Sequence, residues 1–400
     1  MRLLIIDYAG DFREAYHKIH KHGIETYHSH KYVIDTASKI SQQIDEVTLA
    51  CCNSKQVYNE KIEPNLRVIA GGFEPYQNPN KVLEILESQQ PTHLVVRFPM
   101  KDILLWGIKH QAKIMALFAD SFISVDWKTR IQNYTFKKIL NHQQIDWVAN
   151  HGLNASYSLQ KIGVNPDKII PWDFPHQITP RTFNVKKLKS SFSPKKLVYV
   201  GSIRDDKGVG DILTAIAKLR HTQAINLKIA GSGEIEKFQH RAKELQISKQ
   251  VEFLGQIPQK RVIELMCDAD AVVVPSWHEY PEACPFTIYE SLCTHTPIIA
   301  SDHPMFRGNL IHRQNAMIFP ERKPKLLAQS IQELFSSEEL YHRISLNSEA
   351  SWEHLQMPVK WRELITSWLF DSPVNQKWLS DRSLSSGLYN QPKLKSCVLS

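Results

Sequence analysis

Two glutamates, Glu282 and Glu290, are separated by seven residues in a stretch that changes from strand to loop to helix. The apolar run 271–274 predicts a buried strand, the loop after it carries Glu282, and Pro285 marks the start of the helix that contains Glu290. The two carboxylates therefore flank a loop-to-helix junction at the carboxyl end of a strand. Open parallel sheets bind ligands there, and a helix N-terminus favours phosphates. Two solvated glutamates are the alternative interpretation, because this spacing alone occurs often by chance.

A second group of residues with the right chemistry for an anion lies between residues 201 and 208. Gly201 ends the predicted strand 196–201, and Lys207-Gly208 precede an amphipathic helix. A tight turn, a lysine and a helix N-terminus together can hold a phosphate, whereas a surface turn with a solvated lysine is the alternative. Gly231 and Gly233 follow the next predicted strand, and an ordinary strand–helix turn explains them equally well.

The stretch from Pro275 to Asp302 resembles the donor-site signature of the retaining glycosyltransferases of family 4. Members of that family typically have Pro-Ser, a few residues, Glu, seven residues, Glu-Ala, and then Gly-Thr-Pro-Val-Val-Ala-Ser-Asp. Ser291 replaces the usual Ala here, and His295 replaces the usual Gly, both beside the carboxylates. The resemblance covers about residues 195–370 and, more weakly, 145–172. It implies an α/β protein with the GT-B fold, in which two Rossmann-like domains with parallel sheets face each other across a cleft.

The resemblance also implies roles for individual residues. Lys207 would grip the donor diphosphate, and Arg204 would substitute for the family arginine whose place Ser202 takes. Glu290 would bind the ribose hydroxyls, and Glu282 would contact the donor sugar or stabilise positive charge on its anomeric carbon. Glu282 and Lys207 are the predicted catalytic residues. The complete predicted donor site consists of Gly201, Ser202, Arg204, Lys207, Gly231, Gly233, Glu282, Ala283, Cys284, Pro285, Phe286 and Glu290.

The sequence predicts neither a metal nor a cofactor. No Asp-x-Asp follows a strand, and the 18 histidines lack the spacing of a metal site. Lys207 and helix dipoles can neutralise a diphosphate without a metal. The nucleotide-diphosphate sugar is therefore expected as a substrate, with no cofactor.

Composition narrows the class of protein. A chain of 400 residues exceeds what one core usually serves, and a 42% hydrophobic and 22% charged composition is ordinary for a soluble globular protein. No apolar run could span a bilayer, no signal peptide is evident, and the six cysteines lack a secreted pattern, so a reduced cytoplasmic protein is expected. Most of the net charge of +8 lies in residues 1–190. That excess suits an anionic membrane surface, such as the inner face of the membrane, or a phosphorylated acceptor, and nucleic acid is not expected because basic clusters interleaved with aromatics are missing.

Alternating strand and helix patterns predict the domain organisation. Residues 1–174 form a Rossmann-like acceptor domain, 175–195 a linker, and 196–358 a Rossmann-like donor domain. By analogy with GT-B proteins, a helix at 359–370 crosses back to the first domain. The Ser-rich, aperiodic residues 371–400 predict a poorly ordered tail.

The leading hypothesis is a retaining glycosyltransferase that moves a sugar from a nucleotide-diphosphate donor to a glycan, lipid-linked or small acceptor, in polysaccharide or glycoconjugate biosynthesis. The alternatives are a catalytically impaired nucleotide-sugar or glycan-binding GT-B protein and a GT-B epimerase. The first domain departs from the family pattern, because Ala119-Asp120 lacks the usual histidine and no Gly-Gly loop follows the first strand. Donor nucleotide, sugar, acceptor, linkage and oligomeric state are not predicted.

Overall fold

The computed structural model describes residues 1–23, 25, 30–188 and 193–390, except for the side chain of His22. The chain divides into two compact units. The first contains residues 1–175 and the segment that starts at Met357, and the second contains residues 176–356. The segment predicted as a linker, 175–195, therefore belongs almost entirely to the second unit.

The first unit is built on an eight-stranded sheet with the order β3-β4-β2-β1-β5-β6-β7-β8. All neighbours are parallel except β3 and β4. The strands are β1 (Arg2–Ala9), β2 (Glu46–Asn53), β3 (Tyr58–Glu63), β4 (Leu66–Ala70), β5 (His93–Val96), β6 (Lys113–Phe118), β7 (Ile145–His151) and β8 (Ile169–Trp172). The helices between them are α1 (Phe12–His22), α2 (His30–Ser41), α3 (Pro79–Gln89), α4 (Lys101–Lys109), α5 (Trp127–Leu140) and α6 (Leu153–Ile162).

Burial on both faces explains why the central strands are continuously apolar. Ile5 of β1 is fully buried and lies opposite Leu49 of β2 and Val95 of β5. Parallel sheets carry helices on both faces, so alternation of polar and apolar residues disappears. The antiparallel edge strand β3 and the helix α1 are absent from the sequence-based prediction. The strand β3 is polar and half exposed, with the sequence YNEKIE, and has no strand-like pattern.

The second unit contains a six-stranded, all-parallel sheet with the order β11-β10-β9-β12-β13-β14. Its strands are β9 (Lys195–Val200), β10 (Ile225–Ala230), β11 (Val251–Gly255), β12 (Ala271–Val274), β13 (Ile298–Ser301) and β14 (Met317–Phe319). Its helices are α7 (Val209–Leu219), α8 (Ile235–Glu244), α9 (Gln259–Asp268), α10 (Phe286–Cys293), α11 (Pro324–Ser336), α12 (Glu338–Leu346) and α13 (Ser348–Leu355). The strand order reverses between β9 and β12, which makes their carboxyl ends the switch point of the sheet.

The C-terminal segment completes the first unit. Its backbone forms two hydrogen bonds with the backbone of Asp173. The N–H of Asp173 donates to the carbonyl of Val359 (3.0 Å), and the carbonyl of Asp173 accepts from the N–H of Trp361 (3.0 Å). Two helices follow, α14 (Trp361–Leu369) and α15 (Pro373–Ser380). The terminal helix predicted at 359–370 is therefore present, and it belongs to the first unit.

The prediction of a poorly ordered tail at 371–400 is wrong for residues 371–390, and residues 391–400 lie outside the described part of the chain. The helix α15 has Ser372 as its N-cap, and Leu379, Leu384 and Tyr389 of this segment are buried. A helix of eight residues with one buried position has no visible period, so the sequence pattern conceals it. None of the helices in the described residues has the length and apolar character needed to cross a bilayer.

Candidate functional site

The predicted donor-site residues follow the carboxyl ends of β9 and β10, or lie in the loop between β12 and α10 and in α10 itself. Leu197 of β9 lies opposite Leu227 of β10 and Ala271 of β12, so the loops that follow these strands emerge at one edge. Thr287 fixes α10 against the first of these loops, because its hydroxyl donates to the carbonyl of Val200 (3.0 Å), the last residue of β9. This edge is the switch point of the second sheet, where parallel α/β sheets bind ligands.

Glycines allow the loops after β9, β10 and β12 to pack against one another. A side-chain carbon at Gly231 would lie 1.8 Å from the carbonyl oxygen of Gly201, and one at Gly233 would lie 2.3 Å from that of Ile203. Gly208 has φ +71°, and an added carbon there would lie 2.3 Å from the carbonyl oxygen of Pro275. Backbone packing between loops therefore requires these glycines, which supports the interpretation of Gly231 and Gly233 as a structural turn.

Lys207 and Glu282 form a buried ion pair. Only 8% of Lys207 and 6% of Glu282 is exposed, and the ammonium donates a hydrogen bond to Oε1 of Glu282. The hydroxyl of Ser276 donates to the same oxygen (2.6 Å). The ring centroid of Tyr280 lies 4.4 Å from the ammonium, a cation–π geometry. The structure thus brings together the two residues that the sequence predicts as catalytic, although they are 75 positions apart.

Glu290 lies on α10 and has a separate partner. It is 9% exposed and accepts a hydrogen bond from the side-chain amide of Gln259, the first residue of α9. Burial raises the pKa of Glu290 from 4.5 to about 7, and the hydrogen bond from Gln259 acts in the opposite direction. A buried carboxylate with a raised pKa is typical of functional sites as well as of cores. Burial therefore makes Glu290 harder to ionise than an exposed glutamate.

The loop that carries Glu282 is held on both sides by residues that sequence reasoning missed. On one side, the Trp277 indole donates to Asp211 (2.8 Å). On the other, the Nε2–H of His303 donates to the carbonyl of Tyr280 (3.1 Å), while its Nδ1 accepts from the backbone of Met305 (3.2 Å). Burial lowers the pKa of His303 to about 4, so the ring is neutral and keeps this tautomer at physiological pH.

A further cluster lies near the start of the same loop. The His278 ring contacts Asp302 through Nε2 (2.9 Å) and Glu321 through Nδ1 (3.5 Å). Asp302 belongs to the stretch that the sequence singled out, but His278 and Glu321 have no spacing that would link them. These contacts fix the segment between Pro275 and Glu282 without using the carboxylate of Glu282.

The remaining predicted residues occupy the rim of the site. Arg204 is exposed and donates two hydrogen bonds to the carboxylate of Asp206, through Nε (2.9 Å) and a terminal nitrogen (2.6 Å). In this structure Asp206 therefore compensates the charge of Arg204. Ser202 is exposed, and its carbonyl accepts from the Tyr199 hydroxyl (2.6 Å). The loop before α10 contains Ala283, which is buried, and Cys284 and Pro285, which are half-buried, as is Phe286, the first residue of α10. Pro285 is the N-cap of α10, as its position in the sequence predicts.

Metal ligands are not assembled at this edge. The described residues contain no group of three or more His, Cys, Asp or Glu side chains with the geometry to hold a metal ion. A cation at the site is supplied by Lys207, and the N-termini of α7 and α10 add partial positive charge.

Residues 180–351 match the family model described as "Glycosyl transferases group 1". The chain is 25% identical over 178 residues to a glycogen synthase of Mycobacterium tuberculosis (strain CDC 1551 / Oshkosh). The aligned residues make up 44% of this chain and 41% of that protein. The match therefore spans about two fifths of the length of that curated relative. The family model covers most of the second unit, which contains the site.

Solved structures match nearly the whole chain. A sucrose-phosphate synthase from Thermosynechococcus elongatus has a TM-score of 0.67 at 16% identity, with 92% of this chain and 98% of that chain covered. The Anabaena protein HepE in complex with UDP-glucose has a TM-score of 0.64 at 12% identity, with 95% and 98% covered. At these identities the match concerns the fold alone, and that fold is GT-B.

Proposed function

We propose that the chain is a retaining glycosyltransferase. The match of residues 180–351 to the glycosyl transferases group 1 family and the GT-B fold support this proposal. It transfers a sugar from a nucleotide-diphosphate donor to a glycan, lipid-linked or small acceptor, in the synthesis of a polysaccharide or glycoconjugate. The single observation that carries the proposal is the buried contact between Lys207 and Glu282 at the switch point of the second sheet.

The chemistry assigns a different task to each partner. When the bond between the anomeric carbon and the diphosphate breaks, the electron pair remains on the diphosphate oxygen, where Lys207 and the N-terminus of α10 compensate the new charge. Glu282 lies against Lys207 and stabilises the positive charge that develops on the anomeric carbon. Since a lysine and helix N-termini supply the positive charge, the proposed reaction is independent of metal and of any cofactor.

Glu290 recognises the nucleotide in this proposal. An ionised carboxylate accepts hydrogen bonds from the two ribose hydroxyls, and a buried position makes those bonds stronger than they would be in water. Ionisation is required, because a protonated carboxyl offers fewer acceptor sites. Donor binding is therefore coupled to loss of the proton that Glu290 holds part of the time at neutral pH.

The first unit offers a feature for the acceptor at its own switch point, between β1 and β5. Tyr8, Tyr76 and Phe98 form an aromatic cluster with ring centroids about 6 Å apart (5.9–6.1 Å). Tyr76 is 54% and Tyr8 38% exposed, and the Tyr8 hydroxyl donates to Glu74 (2.5 Å). Aromatic faces beside a carboxylate suit a sugar ring, whose C–H groups pack on the rings and whose hydroxyls bond to the acid. We infer that this cluster contacts a carbohydrate part of the acceptor.

The distribution of net charge along the chain bears on where in the cell the reaction takes place. We place the reaction in the cytoplasm, at the inner face of the membrane when the acceptor is lipid-linked, because the first half of the chain holds most of the net positive charge. No role for nucleic acid is proposed.

Thermal unfolding in the presence of UDP-, GDP- and ADP-sugars tests the proposal first. UDP-glucose heads the panel, because HepE is described in complex with it. A ligand at about 100 times its dissociation constant adds about 2.7 kcal/mol to the free energy of unfolding, which is readily detected. Transfer of the sugar from the stabilising donor to acceptor extracts is then measured for the wild type and for Glu282→Gln.

The alternatives give different results in these assays. A binding protein is stabilised by a donor but transfers nothing in any extract, and Glu282→Gln then changes nothing in turnover. An epimerase rearranges or releases the sugar without an acceptor. Transfer that disappears in Glu282→Gln, with donor binding retained, supports the glycosyltransferase.

A further inference from the structure

The helix α5 of the first unit exposes a stripe of large apolar side chains. Trp127, Ile131 and Tyr134 are 67%, 57% and 53% exposed, and Val125 just before the helix is 52% exposed. Positions 127, 131 and 134 are spaced by four and three residues, so they lie on one face of the helix. We call Val125, Trp127, Ile131 and Tyr134 the apolar stripe of α5. Single exposed apolar residues are ordinary, whereas a contiguous stripe marks an interaction surface.

The opposite face of α5 supplies the packing of the helix, so the core does not need the stripe. Phe136 and Leu140 are buried. Phe136 stacks on Phe122 with ring centroids 5.7 Å apart, and both belong to the core of the first unit. The helix is thus anchored through one face and presents a second apolar face to solvent.

Basic residues surround the apolar stripe, so α5 interleaves basic and aromatic residues although no such cluster is expected from the sequence pattern. Lys128, Arg130, Lys137 and Lys138 lie in α5, and Asp126 is the one acid between residues 125 and 140. The ammonium groups of Lys137 and Lys138 lie 4.9 and 4.6 Å from the ring centroid of Tyr134. Within the described part of the chain, no carboxylate lies at ion-pair distance from any of these four basic side chains. Other lysines of this unit are paired, such as Lys31 with Asp35 (2.6 Å) and Lys113 with Asp371 (2.8 Å).

The exposed apolar and basic side chains of α5 together indicate which kind of partner this surface binds. A protein interface core is depleted in lysine. Four cations on one helix, with no carboxylate at ion-pair distance among the described residues, therefore argue against a second copy of the chain or another protein. Trp and Tyr prefer the boundary between headgroups and acyl chains, and Lys and Arg bind anionic headgroups while their stems cover apolar surface. We propose that the apolar stripe of α5, with Lys128, Arg130 and Lys138, docks on a bilayer surface that carries anionic headgroups. This inference rests on the membrane-association part of the proposed function and is independent of the transfer reaction.

Vesicle co-sedimentation of the full chain, without donor or acceptor, tests the inference. The vesicles contain phosphatidylcholine alone or with about 30% phosphatidylglycerol, a composition that gives a clear negative surface potential. The wild type is expected to bind the anionic vesicles and to be released at high salt. Two variants address the two parts of the surface: Trp127→Ala/Ile131→Ala/Tyr134→Ala removes the apolar stripe, and Lys128→Gln/Arg130→Gln/Lys138→Gln removes the charge. Each is expected to lower the partition coefficient roughly tenfold or more.

Matched variants on other surfaces test whether membrane binding depends on α5 in particular, or only on the amount of exposed apolar surface and the net charge of the protein. Leu326→Ser/Val374→Ser/Leu388→Ser removes three exposed apolar residues elsewhere, and Lys243→Gln/Lys249→Gln/Lys325→Gln removes the same charge from the second unit. Both controls should bind as the wild type does, and thermal unfolding of all four variants should match it. Failure of the wild type to bind anionic vesicles, wild-type binding by either α5 variant, or an equal loss in a control would each overturn the inference. Transfer to a water-soluble acceptor, measured separately, is expected to be unchanged by the α5 variants, so a failed membrane test leaves the enzymatic proposal intact.

Discussion

The ammonium group of Lys207 and the carboxylate of Glu282 are hydrogen-bonded to each other, and each residue is less than a tenth exposed. Burial of such a pair costs free energy of desolvation, and a pair of apolar residues of the same size would often be at least as stable. The pair is therefore expected to serve the reaction, and the cost of breaking it can be separated from the cost of losing activity.

The first prediction distinguishes the loss of stability from the loss of activity when the ion pair is broken. Glu282→Ala leaves the ammonium of Lys207 buried and unpaired, so the free energy of unfolding should fall by about 3–5 kcal/mol. The double variant Lys207→Met/Glu282→Leu should recover most of that stability and remain inactive, because both charges are gone. Urea unfolding and donor turnover measure the two effects. A double variant that regains activity would show that the pair is structural only.

The second prediction concerns Glu290 and pH. Its pKa is 4.5 as an ordinary glutamate and about 7 in the folded chain. Between these values the folded state binds more protons than the unfolded state, so the contribution of Glu290 to stability falls as pH rises through this window, by about 3 kcal/mol in total. Glu290→Gln should remove this dependence and be more stable than the wild type at pH 8. Unfolding curves from pH 5 to 8 check it, with the exposed Glu236→Gln as control.

The same group gives a prediction for the nucleotide. If Glu290 binds ribose as a carboxylate, donor affinity should rise with pH up to about 7 and level off above it. Calorimetry in buffers with different ionisation enthalpies should detect release of a fraction of a proton at pH 7. Glu290→Gln should bind more weakly and without proton release. Proton release that persists in this variant would assign the titration to another group.

Gly231 provides a prediction about the loops under the site. A methyl group at this position would meet the carbonyl oxygen of Gly201 at 1.8 Å, and its φ of +145° is unfavourable for any side chain. Gly231→Ala should therefore lower the free energy of unfolding by roughly 3 kcal/mol or more. Gly255→Ala is the matched control, because Gly255 also has a positive φ, +65°, but open space around it, and should cost about 1–2 kcal/mol. Equal losses in urea titrations would mean that the loops can separate at little cost.

The aromatic cluster of the first unit yields the last prediction. Tyr76→Ala should raise the KM for a soluble glycan acceptor roughly tenfold and leave the dissociation constant of the donor unchanged, because stacking on an aromatic face contributes about 1 kcal/mol or more. Tyr134→Ala, which removes a tyrosine of similar exposure on α5, is the control and should leave both constants unchanged. An unchanged acceptor KM in Tyr76→Ala would exclude the cluster from acceptor binding.

Local signals made part of this structure predictable. Apolar strands that end in Gly201 or Pro275 revealed both loops of the site, and Pro285 revealed the start of α10. The contact between Glu290 and Gln259 could not be predicted, because it joins two helices through side chains 31 positions apart. Spacing also misleads in α5, where Trp127, Ile131 and Tyr134 have the period of a buried face although Phe136 and Leu140 are the buried residues. Periodicity identifies a stripe, but only packing decides whether that stripe is covered.

The two backbone hydrogen bonds that join Asp173 to Val359 and Trp361 have a consequence for biosynthesis. The first unit is discontinuous: its sheet has been translated by residue 175, but the strap formed by α14 and α15 leaves the ribosome only after residues 176–356. At about 5–20 residues per second, the nascent sheet waits on the order of 10–40 s for that strap. During this interval Phe174, just after β8, lacks the aromatic cover that Trp361 provides in the folded chain.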